Sequence, residues 1–282
     1  LKYFISTITL ISAMYYCSLG AYYPTIYFIG FSSFIIFGDL LLKHDDKIQK
    51  YKYPFWLDLP IYINLPLLIL FLMMVVFVLS KSDSNFLSLF FFNHLNINLV
   101  SFGESINLID KISLVALSSL FIGIMGTVPG HELSHRINSK HNLFIGSWLL
   151  SLSWDCAFAI EHVYGHHKNV ALPKDPATAR RGDNIYKFII NAIINEQRDA
   201  WQIEKKRLKG KSLHVLGFNN KLIKGYMKSV SISILSYLVG GFAGLLIFLM
   251  CAFTAKALLE VINFTEHYGL IRVEGEKVMP RH

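Results

Sequence analysis

Six of the eleven histidines stand in three short clusters: His131-Glu132-Leu133-Ser134-His135, Glu161-His162-Val163-Tyr164-Gly165-His166-His167, and Asn263-Phe264-Thr265-Glu266-His267-Tyr268-Gly269. On a helix, residues i and i+4 lie one above the other on the same face. His131 and His135 can therefore present two imidazoles to one metal ion, and His162 and His166 repeat that spacing, with His167 one step further round. A glutamate adjoins a histidine in every cluster: Glu132, Glu161 and Glu266. Ligating histidines usually donate their second ring N–H to a carboxylate or carbonyl, which sets the tautomer. These acids, together with Asn263, are candidates for that orienting role; their plainer role is to offset local charge. His94 and His214, flanked by leucine, read as structural, and His44 and His141, among polar residues, as solvated.

The type of metal follows from the number of ligands. His131 to His135 matches H-E-x-x-H, the zinc metalloprotease motif, in which Glu132 would be the general base. A protease zinc takes three protein ligands and keeps one position open. Six candidates are too many for it, and the second cluster has no place in that scheme. Many imidazoles divided over two sites suit iron, with positions left for dioxygen. A metal carrier is a further reading, in which the histidines would be ligands with no open position. Cys17, Cys156 and Cys251 lie in apolar stretches and no two are spaced as C-x-x-C, so a disulfide framework, a zinc knuckle or an iron–sulfur module is not expected, and small buried hydrophobes are.

The elements that must position these histidines are membrane helices. The composition is 53% hydrophobic and only 16% charged, against about 25% charged in an ordinary soluble domain. A hydrocarbon core about 30 Å thick needs roughly 20 apolar residues in helix. Such stretches occur at residues 3–19, 22–42, 59–80 and 111–128, with a weaker one at 143–160. The run 222–261 is too long for one crossing and is broken by Gly240-Gly241 and Gly244, so it reads as a hairpin of two helices. The net charge of +8 is spread between apolar segments rather than gathered in a stripe, which fits cytoplasmic loops and not nucleic-acid binding. Lys43, Lys47, Lys50 and Lys52 put the second loop inside; residues 82–110 carry no Lys or Arg and suit the outside; residues 136–228 are basic and suit the inside. Parity then requires 143–160 not to cross. The expected fold is all-α and membrane-integral: six crossing helices, both ends cytoplasmic, and the polar stretch 162–221 as a histidine-rich cap on the cytoplasmic face.

The order H-E-L-S-H-R, E-H-V-Y-G-H-H, Asp175-Pro176-Ala177-Thr178 and N-F-T-E-H-Y-G-L resembles the integral-membrane alkane monooxygenases, which belong with the membrane fatty-acid desaturases and hydroxylases. The likeness runs from about Gly130 to His282. The two histidine boxes are shared across that superfamily, while E-H-Y-G-L is more specific to the alkane and xylene hydroxylase branch.

The resemblance implies a non-haem di-iron centre of two Fe, dioxygen as oxidant, and electrons from rubredoxin and its NADH-linked reductase. Medium-chain alkanes would be hydroxylated at the terminal carbon to 1-alkanols by a multi-pass protein of the bacterial inner membrane, with its active site on the cytoplasmic side. Carried over residue by residue, the ligands would be His131, His135, His162, His166, His167 and His267. A related desaturase or a xylene-type hydroxylase is the alternative. The superfamily's third box, H-S-x-H-H, is not found. Leu1 and His282 read as cut ends, so residues 1–282 are expected to be one domain truncated before that box and inactive alone; His282 is not expected to be a ligand. Arg180-Arg181 and Lys205 to Lys211 offer a surface for an acidic electron carrier, though retention of loops on the inside explains them more simply.

Overall fold

The computed structural model describes residues 2–41 and 55–279. The lysine-bearing loop at residues 43–52, His44 and residues 280–282 lie outside the described residues. Every element among the described residues is helical. The chain divides into two compact units, one of Leu1–Met125 with Ser233–Cys251 and the other of Gly126–Ile232 with Ala252–His282.

The first unit contains α1 (Ile5–Ser18), α2 (Tyr23–Leu41), α3 (Phe55–Ser80), α4 (Asn85–Leu95), α5 (Leu99–Ser105) and α6 (Leu108–Phe121). Its core is apolar, so the polar groups inside it must be bonded. Asn64 of α3 accepts from Thr7 at 3.1 Å and donates to Ser6 at 3.0 Å, which ties α1 to α3. Asn107 caps α6 through the backbone N–H groups of Ile109 and Asp110. The Asp110 carboxylate in return accepts from Asn107 N, from Tyr22 N at 3.3 Å and from the Thr25 hydroxyl at 2.6 Å. The starts of α2 and α6 are thereby pinned together.

Two expectations change here. The stretch at 3–19 becomes α1, only 14 residues long; at 1.5 Å per residue it reaches about 21 Å, short of a hydrocarbon core. The stretch 82–110, expected as an external loop, folds into α4 and α5, bent by 101°. Its lack of lysine and arginine reflects the apolar helix Asn85–Leu95, which ends at Asn96 in the left-handed region, as much as the side of the membrane it faces. Tyr23–Leu41, Phe55–Ser80, Leu108–Ser134 and Lys221–His267 are long and apolar enough to cross, and α4 with α5 makes a fifth if the bent pair counts as one. The protein is multi-pass and membrane-integral, with four to five candidate spans when Lys221–His267 is counted once; the six read from the sequence count the two halves of that helix separately.

Helix α6 continues through a π-helical segment, Ile122–Thr127, into α7 (Val128–Ser134), which opens the second unit. There follow α8 (Lys140–Ser151), α9 (Phe158–Glu161), a second π segment (His162–His166), α10 (His167–Asn169), α11 (Ile185–Lys209) and α12 (Lys221–His267). Helix α8 has 12 residues, too few to cross, as parity required of residues 143–160. Gly130 and Gly146 let α7 and α8 touch backbone to backbone, since a Cβ on either would lie 3.2 Å from the other's carbonyl oxygen. Helix α11 buries Phe188, Ala192, Glu196, Ala200, Glu204 and Leu208, a stripe repeating every four residues and including two glutamates.

Helix α12 breaks at Gly240 and Gly241, whose φ/ψ of −127°/18° and 59°/−152° are not helical. A Cβ on Gly244 would sit 2.5 Å from the carbonyl oxygen of Ser236. In a straight helix those residues would be about 12 Å apart, so the chain reverses at the glycine pair, as the sequence predicts.

Candidate metal centre

The second unit gathers histidines from three elements. One ligating nitrogen from each of His131, His135, His162 and His167 lies within 4.8 Å of the others. His131 stands on α7 and His135 caps its end, while His162 and His167 bracket the second π segment. The π winding decides the pairing. The His167 N–H bonds back to the carbonyl of His162, so residues five apart come together, and the two Nε2 atoms are 3.0 Å apart. The i, i+4 partner His166 stacks on His162 at 5.1 Å but turns its other edge elsewhere. The sequence spacing pairs His162 with His166, whereas the structure pairs His162 with His167. Both π segments adjoin the histidine clusters, where such segments are often functional.

His166 and His267 form a second pair, with ring centroids 4.9 Å apart. His166 Nδ1 lies 2.9 Å from Asp175 Oδ2, and that aspartate is buried and also held by the Thr178 hydroxyl. His267 reaches this place because the chain after α12 is laced to residues 168–182. Arg272, itself buried, donates to the carbonyls of Val170 at 2.8 Å and Lys168 at 2.7 Å. The Tyr268 hydroxyl accepts from Gly182 N, and Gly269 N donates to Ala179 O, both at 2.8 Å.

Chemically the cluster is a set of nitrogen donors. Burial and the surrounding imidazoles hold His162 far below the ordinary histidine range, and burial lowers His167 in the same way. Such rings keep their lone pairs available. Nitrogens bound about 2.1 Å from one ion lie within about 4.2 Å of each other, so four nitrogens within 4.8 Å need only small rotations to share one. The residues fit a metal site.

The orienting residues differ from expectation. Glu132 is 61% exposed and pairs with Arg136 at 3.5 Å, Glu266 is exposed, and the Asn263 amide donates to Glu260 at 3.1 Å rather than to an imidazole. Only Glu161 of the four is buried; its Oε1 has no hydrogen-bond partner, and burial pushes it up to about 8. Asp175 holds the place next to a histidine that the glutamates were expected to take. Its signal in the sequence is the D-P-A-T motif at residues 175–178.

A second buried cluster went unnoticed in the sequence. Lys256 Nζ lies 3.0 Å from Asp155, 2.7 Å from Glu196 and 2.6 Å from Glu260, and all four side chains are buried. It was detectable, because a lysine inside an apolar helical run is costly and tends to have a purpose. Phe158 stacks on His162 at 4.4 Å, and Lys256 lies 5.9 Å from the same ring.

A helical membrane protein that converges histidines from separate stretches on one place has the features of a histidine-ligated membrane metalloprotein. The profile of the fatty acid desaturase family matches residues 112–281, and the chain belongs to that family. It is 39% identical over 155 residues to alkane 1-monooxygenase 1 of Pseudomonas aeruginosa, covering 55% of this chain and 40% of that protein. It is 33% identical over 199 residues to alkane 1-monooxygenase 2 of Alcanivorax borkumensis, covering 69% and 50%. The hydroxylase component of the xylene/toluene monooxygenase of Pseudomonas putida is 31% identical over 170 residues, covering 59% and 45%. The chain spans half or less of the length of these relatives.

Proposed function

We propose that the protein is a di-iron monooxygenase that hydroxylates the terminal carbon of medium-chain alkanes to 1-alkanols, using dioxygen and electrons from rubredoxin and its reductase. The observation that carries this reading is the meeting of six imidazoles in one family member: the quartet His131, His135, His162 and His167, and beside it the pair His166 and His267. These six are the ligands we assign. Bound iron would supply the reductive activation of dioxygen, which side chains alone do not perform.

The chain's own residues prepare the place. Asp175 accepts the Nδ1 proton of His166 and so directs its Nε2 lone pair inward. Phe158 stacks on His162 and meets His131 edge-on at 5.2 Å, excluding water from one side of the rings. Arg272 holds the segment after His267 against the segment after His167. An alkane offers no polar handle, so selectivity must come from the length and shape of an apolar cavity. In our reading the site faces the cytoplasmic side of the bacterial inner membrane. Reactive cysteines placed at residues 82–110 and 205–211 should label from opposite sides; labelling from one side would defeat that orientation.

The activity test supplies membranes carrying the chain extended to the full length of its relatives with ferrous iron, rubredoxin, its reductase and NADH, and looks for 1-octanol from octane. An alkene product would move the protein to the desaturases. Zinc content with no oxygen uptake would defeat the proposal. A xylene-type hydroxylase is the second reading, favoured by the 31% identity to the xylene/toluene enzyme component; oxidation of xylene in preference to octane would establish it.

A further inference from the structure

A cavity of about 350 Å³ opens in the second unit beside the first two turns of α12. Its floor is apolar, formed by Leu143, Leu150 and Ile160 among others, and four lysines stand around it: Lys140, Lys221, Lys224 and Lys228. Among the described residues, no acidic side chain lines it. The nearby carboxylate of Glu204 is taken up by Arg207, at 2.7 and 2.6 Å, and by the Lys221 backbone N–H at 2.7 Å.

This arrangement is locally unfavourable. Lys221, Lys224 and Lys228 follow i, i+3 and i+4 spacing, which places like charges beside one another. They also occupy the start of a helix, where the macrodipole already disfavours cations. Conflicts with local rules tend to be offset at functional sites. The site is built rather than merely exposed. Lys228 is only half-exposed, bonds the Ser147 hydroxyl, and lies 4.9 Å from the ring of Phe144 and 5.5 Å from that of Trp148. Lys221 lies 5.9 Å from the ring of Tyr164. Gly225 lets α12 close on the cavity wall, since a Cβ there would meet Cys156 Cβ at 2.8 Å.

We propose that this cavity binds an acidic phospholipid, its phosphate among the four lysines and an acyl chain along the apolar floor. An anion relieves the lysine–lysine repulsion and an apolar tail covers the floor; neither an uncharged lipid nor a simple anion does both. The helix that supplies three of the lysines runs on into one of the most apolar candidate spans, which puts the cavity at a membrane boundary. Basic pockets between helices bind acidic headgroups in this way.

The test uses the full chain, purified in a zwitterionic detergent and delipidated, with native mass spectrometry and fluorescent-lipid titration as readouts. Phosphatidylglycerol should bind tightly and saturably at one site, and phosphatidylcholine at least ten-fold more weakly. Each of Lys140→Gln, Lys224→Gln and Lys228→Gln should weaken phosphatidylglycerol on the order of five-fold, about 1 kcal/mol per lysine, while Lys228→Arg retains most binding. Lys224 is exposed, so its variant tests the site without endangering the fold. Equal binding of the two lipids would overturn the proposal, as would unchanged affinity in the lysine variants. Displacement by glycerol phosphate at the same concentration as lipid would reduce the cavity to a plain anion site, and selective retention of an acidic protein over lipid would reassign it.

Discussion

Phe158 touches two polar clusters, one buried and one partly open, that solve the same electrostatic problem in opposite ways. On Lys256 converge three carboxylates, and the chain itself supplies the cation between them. In the histidine quartet, imidazole nitrogens converge on one another, with Nε2 of His162 and His167 3.0 Å apart. Donors gathered at that distance have no counter-charge from the chain; their geometry makes sense for a cation that comes from outside. The carboxylate cluster is internally neutralised only in part, because three acids surround one lysine. Burial pushes Asp155 and Glu196 up accordingly. A polar cluster that carries its own cation reads as a structural device, and one that lacks it as a candidate site.

The contrast can be broken at either end. The largest expected effect is from Lys256→Met, which strands three buried carboxylates; losing one partner of a buried ion pair costs about 3–5 kcal/mol. Denaturant unfolding in detergent would measure this, and unchanged stability would mean that protons alone satisfy the acids. Next, His135→Ala or His166→Ala should lower ferrous iron affinity at least about ten-fold in a chelator competition, since even residues that only orient ligands cost that much. Full retention in either variant removes that residue from the site.

Asp175→Asn should weaken iron by about ten-fold while leaving the fold in place, and an unaffected titration would reduce Asp175 to a packing role. A subtler difference concerns pH. Glu161 sits at about 8 instead of the ordinary 4.5, so the folded metal-free chain binds a proton that the unfolded chain releases. Stability should fall as pH rises from 4.5 towards 8, and thermal midpoints of Glu161→Gln should show a flatter profile. The smallest effect belongs to Glu132→Gln. Its exposed pairing with Arg136 is worth at most about 1 kcal/mol, and activity should persist; abolished turnover with metal intact would revive Glu132 as a general base.

Much of this was legible in the residues. The histidine clusters and the break at Gly240-Gly241 could be read from spacing and residue type, because imidazoles and helix-breaking glycines are scarce signals in an apolar chain. Which stretches are long enough to cross was not legible, since periodicity does not distinguish a 14-residue helix from a crossing one, or a charge-poor loop from the bent pair α4 and α5. The orienting carboxylates were also misread. Adjacency to a histidine in sequence puts Glu132 and Glu266 a third of a turn away from it on a helix, and both are exposed.

By itself, then, the sequence determined that this is a membrane chain with histidine clusters in three places, because composition and residue type are local properties. Only the tertiary structure decided which nitrogens meet. The π winding at His162–His166 brings residues five apart together, Asp175 turns His166, and Arg272 closes the segment after His267 onto residues 168–170. Each of these depends on backbone geometry or on partners distant along the chain, and no periodicity in the residues encodes either.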